Sequence, residues 1–211
     1  DASLLHSLAI RQTAFGRLED AAATLRRALQ LNPLSATVLY NLGGIYLGMN
    51  DYAEAEHVLG QALALRPDIS VVRAFQALAI FQQNRAPEAI AIAQQEPDPL
   101  WKAYALAMAY WANGDRARSD AELQVLIRDN PKGAATQIAG LYAQRDDEAA
   151  MFKWLQVARD AGDPGIVEIR YMPFVSRYAE DPRFIALLRE LDLVQDTAKA
   201  PAPKPTGGNM P

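Results

Sequence analysis

Apolar positions in the first third of the chain recur at helical spacing, and then the whole pattern recurs as a block. Laid over itself at a shift of 34, Leu8 falls on Leu42, Ala21 on Ala55, Leu25 on Leu59, Ala28 on Ala62 and Pro33 on Pro67. A shift of 64 from the second copy reaches Leu106, Ala107, Tyr110, Gly114, Ser119, Leu123, Leu126 and Pro131. Two full periods would be 68, so one turn's worth of residues is missing between these copies. The gap falls at Glu96-Pro97-Asp98-Pro99, where prolines end a helix early. A period near 34 built from paired helices predicts an all-α, right-handed solenoid of helical hairpins.

Within the second copy, Leu39, Leu42, Gly43 and Tyr46 form one helical stripe. Asn50-Asp51-Tyr52 makes the turn, and Ala55, Leu59 and Ala62 form the facing stripe. Gly43 is expected at the helix crossing, facing Ala55, and Gly48 in ordinary helix near that helix's end. Repeats are predicted at about 2–35, 36–69, 70–99, 100–131 and 132–161, the third with a clipped second helix and the weakest of the stack. A cap follows over 162–193, making 1–193 one solenoid. Asp181-Pro182 starts its last helix, and Phe184, Leu187, Leu188 and Leu191 give that helix one apolar face to cover the end of the stack. Residues 194–211, rich in Pro and Ala, are expected to form a flexible tail.

The pattern Leu42-Gly43, Tyr46, Ala55, Ala62, Pro67 resembles the tetratricopeptide repeat. Phe152-Lys153-Trp154-Leu155, Gly162-Asp163-Pro164-Gly165, Pro173 and Asp181-Pro182-Arg183-Phe184 then follow in an order that resembles the end of such regions in bacterial signalling proteins, behind winged-helix, class III cyclase or kinase domains. The resemblance implies a protein-binding scaffold or, alternatively, the C-terminal regulatory region of a larger regulator. It implies a cytoplasmic or a periplasmic setting. Asp1 in place of an initiator Met points to a processed chain or a piece of something larger.

Composition narrows the chemistry. A formal charge of −4 gives no basic footprint for nucleic acid, and the absence of cysteine removes thiolate metal sites and thiol nucleophiles. No apolar run has the ~20 residues of a membrane span, and no signal-peptide pattern opens the chain. The two histidines, His6 and His57, belong to different repeats and have no ligand partner at helical spacing, so no metal is expected. Asp146, Asp147 and Glu148 read as helix capping. No catalytic site and no cofactor are expected.

The concave surface, lined by the first helix of each pair, is the expected binding site. The resemblance also offers a carboxylate clamp for chaperone tails, but its positions here are His6, Ile10, Asn41, Val71 and Phe75, without its cations. An uncompensated buried carboxylate is costly, so that ligand is not expected. Trp101, Tyr104, Met108 and Trp111 instead form an aromatic stripe on the fourth repeat, with Tyr40, Leu78 and Phe81 at comparable places before it. Trp101 and Trp111 either pack inward beside the shortened repeat or face a ligand; Trp101, beside the proline junction, is the expected packer. The predicted groove is therefore Tyr40, Asn41, Leu78, Phe81, Tyr104, Met108 and Trp111, suited to a peptide with apolar, aromatic or Pro-rich contacts. The stretch Ala200–Pro205 of a neighbouring copy is one such peptide.

Overall fold

The computed structural model describes residues 1–194, and the Pro/Ala-rich stretch proposed as a groove peptide lies outside them. Its helices pair in chain order: α1 (Ala2–Ala14) with α2 (Leu18–Leu31), α3 (Ala36–Gly48) with α4 (Tyr52–Leu65), and α5 (Val72–Gln82) with α6 (Ala86–Ala93). Then α7 (Pro99–Ala112) pairs with α8 (Arg116–Asp129), and α9 (Ala135–Gln144) with α10 (Glu148–Ala161). A single helix, α11 (Pro182–Glu190), ends the described chain. The result is an α-solenoid without strands among the described residues.

Each hairpin turn needs one residue with positive φ, and the sequence supplies types that tolerate it. Gly16, Asn50, Asn84, Gly114 and Asp146 have φ between 61° and 80°. These positions serve as a ruler along the stack: successive spacings are 34, 34, 30 and 32 residues. Buried side chains of the second helices keep the same beat, as Leu25, Leu59, Ala93, Leu123 and Leu155. Four residues are thus lost between the third and fourth turns, and α6 has 8 residues where α4 and α8 each have 14.

Ala93 is the small member of that series, so the third hairpin lacks the leucine that elsewhere contributes about 1.5–3 kcal/mol by burial. A buried carboxylate holds the junction instead. Glu96 is fully buried and accepts from the backbone N–H groups of Val71 (2.9 Å), Ala74 (3.3 Å) and Asp98 (3.1 Å). It thereby caps α5 from 22 residues away in sequence and fixes Val71, a β-branched residue at φ 78°.

Gly43 meets the fully buried Leu59 rather than Ala55: a Cβ at Gly43 would lie 2.5 Å from the Leu59 Cγ. The larger residue occupies the crossing because Leu59 is the plug of its layer. At the far end, Phe184, Leu187 and Leu188 of α11 pack with Met151, Leu155 and Ala158 of α10, closing the stack. The stretch between α10 and α11 has no long helix, only single 3-10 turns at Pro164–Glu168 and Ser176–Tyr178. No described helix is long and apolar enough to cross a membrane.

Candidate functional site

The stretch from Asp163 to Tyr178 forms a strap across the concave face. Its first turn, Pro164–Glu168, touches both α1 and α9, the first and last of the inner helices. Asp163 anchors the start by accepting from the Thr136 backbone N–H at 2.9 Å and the Gly165 N–H at 2.9 Å. The strap then uses two glycines of the inner helices as seats. A Cβ on Gly48 would lie 3.1 Å from Tyr171 Cβ, and one on Gly140 would lie 2.5 Å from Met172 Cε. Phe174 stacks on Phe81 of α5, with centroids 6.3 Å apart and planes within 5°. Arg177 ties the end down, donating to the Ala143 carbonyl and pairing with Asp146 at 2.7 Å.

Between strap and solenoid lies a cavity of about 140 Å³. One wall is a run of four rings on three successive inner helices. Tyr40 of α3 meets Phe75 of α5 at 5.3 Å, Phe75 meets Trp101 of α7 edge-on at 5.7 Å, and Trp101 meets Tyr104 at 5.9 Å. The strap supplies the opposite wall with Val167, Glu168 and Tyr171, and α9 supplies Thr136 and Gln137.

No Lys, Arg or His lines this cavity, and Glu168 is the one formally charged residue that does. Its carboxylate has no hydrogen bond or ion pair among the described residues. Glu168 is solvent-exposed and lines the concavity. Partial desolvation by the surrounding protein raises its pKa above the ordinary carboxylate value, and the negative charge of Asp163 adds to the effect. Burial, together with the Glu168 charge, likewise raises the hydroxyl pKa values of Tyr40, Tyr104 and Tyr171. Thr136 and Gln137 are more than nine-tenths buried, and their Oγ1 and Oε1 atoms are unpaired.

Of the expected groove residues, the structure brings Tyr40, Asn41, Leu78 and Tyr104 together around the cavity. Phe81 lies beyond it under Phe174, and Met108 is wholly enclosed in the core. Trp111 sits on the α7–α8 side, between the guanidinium groups of Arg116 (3.4 Å from the ring centroid) and Arg145 (4.7 Å). Trp101, expected to pack, packs against Phe75 and also lines the cavity. The clamp position Asn41 is occupied by His6, whose Nε2 lies 2.6 Å from the Asn41 Nδ2. His57 contacts Gln61 on the exposed face of α4, and Asp147 caps α10 by accepting from the Ala150 N–H. Glu168 and Tyr171 escaped the sequence reading because the strap has no periodicity. Gly48 and Gly140 are the available signal, since the nearest atom to a Cβ at either position belongs to the strap.

Two family profiles described as tetratricopeptide repeat match residues 12–79 and 103–133. Among curated proteins, the BBSome complex member BBS4 of Xenopus tropicalis is 49% identical over 45 residues, 21% of this chain and 9% of that protein. The match thus spans about a tenth of the length of the curated relatives. A thermophilic tetratricopeptide repeat protein of Thermus thermophilus superposes with a TM-score of 0.62 at 17% identity, covering 88% of this chain and all of that one. One from Parabacteroides merdae gives 0.62 at 18% identity, over 83% of this chain and 71% of that one. These likenesses carry the fold, and such repeats generally mediate protein–protein interaction. Residues 12–79 and 103–133 are tetratricopeptide repeats, and the described chain is the α-solenoid they build.

Proposed function

We propose that this chain is a binding scaffold that receives a segment of a protein partner in its concave cup. The observation that carries the reading is the ring run Tyr40–Phe75–Trp101–Tyr104, aligned on three inner helices: all four line a cavity, Tyr40, Phe75 and Trp101 are only partly buried, and Tyr104 is buried. Asn41 and Leu78 complete the lining, while Phe81, Met108 and Trp111 lie outside it. Aromatic side chains concentrate binding energy because they bury large area with few rotors. Nothing in the cup supplies a nucleophile with its base or a metal-ligand set, and a scaffold role needs neither.

The order of the Gly162–Gly165, Pro173 and Asp181–Phe184 motifs favours a second reading, in which the partner segment belongs to an output domain of the same signalling polypeptide. The strap is built from that very stretch, so a regulatory region would present its cup in the same way. Selection of random peptides against residues 1–194 tests the shared claim. Enriched peptides should lose about tenfold in affinity on Tyr40→Ala, as expected for a central aromatic contact. Unchanged binding would place the site elsewhere.

A further inference from the structure

The chemistry of the cavity goes further than an apolar groove. Three of the inner helices that open onto it, α5, α7 and α9, already have N-terminal donors occupied by carboxylates. Glu96 caps α5, Asp98 caps α7 through the N–H groups of Leu100 and Trp101, and Asp163 accepts from Thr136 of α9. Helix N-termini are the usual protein partners of an isolated anion, and here they are taken. Glu168 is therefore a further carboxylate in the same neighbourhood, and it has no donor from the protein.

Its basic neighbour in sequence does not help. Arg170 turns away, donating from Nη2 to the Leu193 carbonyl at 2.6 Å, with its stem over Gly16. The cavity lining thus combines one carboxylate without a protein partner and five aromatic rings counting Tyr171. An anion would be repelled by this set. A neutral apolar group would cover Glu168 without replacing its lost hydration. A cation with an apolar shell satisfies both parts: charge for the carboxylate, and methyl or methylene surface against ring faces.

We propose that the cavity is a receptor for an alkylammonium group, with Glu168 as its counter-charge and Tyr40, Phe75, Trp101, Tyr104 and Tyr171 as its aromatic wall. This rests on the cup being the binding surface and specifies what it selects. The volume of about 140 Å³ suits a single ammonium head or the end of one lysine side chain. Two sources share that chemistry: a free quaternary ammonium compound, or a lysine carried by a partner peptide.

Calorimetric titration of the chain separates them. Choline should bind at least about tenfold more tightly than 3,3-dimethylbutan-1-ol, its neutral isostere, because cation–π and ionic terms vanish in the alcohol. A cup-selected peptide carrying lysine should likewise exceed its norleucine counterpart by about tenfold. Preference for the cation in either pair supports the inference and identifies the source. Equal binding of lysine and norleucine peptides, with no choline preference, overturns it while leaving the cup as a peptide site. Absence of binding by all four probes defeats both readings.

Glu168→Gln is the decisive variant. It removes the charge, keeps the shape, and should abolish the cation preference. It should leave Tm unchanged or raise it, because no protein group pairs with the carboxylate. Loss of the preference together with a lowered Tm would instead mark Glu168 as a structural residue and overturn the assignment.

Discussion

The strap meets the concave face in two stretches that differ in how completely the protein satisfies itself. Near the C-terminal ends of α5 and α9 the contacts are closed: Phe174 covers Phe81, and Arg177 takes the Ala143 carbonyl and Asp146. Near the N-terminal ends of α5, α7 and α9 the same strap leaves rings facing a cavity, with Glu168, Thr136 and Gln137 carrying unpaired polar atoms. Both stretches are aromatic, so aromatic content alone does not mark a binding site. The distinction lies in the strap's charged groups. Where its guanidinium, that of Arg177, is paired with Asp146, the rings are architecture; where its carboxylate, that of Glu168, has no protein partner, the rings border a site.

The largest expected perturbation breaks both stretches together. Phe184 is fully buried and fixes α11, and with it the strap's C-terminal anchor, against α10. Phe184→Ala should cost about 3–5 kcal/mol in urea unfolding and expose the strap to limited proteolysis. Smaller, and confined to the solenoid, is Gly43→Leu, which drives side-chain atoms into Leu59 at the α3–α4 crossing. A loss of about 1–3 kcal/mol with an unchanged proteolysis pattern in the strap would show that stack and strap are separable.

Gly48→Ala sharpens the comparison at lower energy. Its Cβ would meet Tyr171 Cβ at 3.1 Å and Leu18 Cδ1 at 3.2 Å, so the strap must give by a few tenths of an ångström. The helix-propensity gain of about 1 kcal/mol offsets part of that crowding, leaving a net loss of under about 1 kcal/mol. Stability should barely move, while Tyr171 shifts and choline affinity falls. A clear gain in stability would mean Tyr171 does not sit on that glycine.

The repeat period, the hairpin turns and the missing residues at the proline junction are legible in the sequence because they are local: helical stripes, residues tolerant of positive φ, and prolines. The solenoid follows from these. The divided groove does not, because it depends on contacts between distant repeats. Trp111 reads as a groove residue until Arg145, from the turn of the next hairpin, is seen over its ring. Met108 shares a helical stripe with Tyr104 and both are buried, yet of the two only Tyr104 belongs to the cavity lining. Gly48 reads as ordinary helix because the side chain that needs its space arrives from 123 residues downstream.

The central claim is that the strap lies in the concave face and completes it, and the Phe81–Phe174 stack reports this most directly. Both residues should be replaced by leucine singly and together, and the unfolding free energies combined in a double-mutant cycle. A ring pair in this geometry should give a coupling of about 0.5–1.5 kcal/mol beyond the two single losses. Additive losses, with no coupling, would mean that Phe174 does not rest on Phe81 and that the strap does not close the cup.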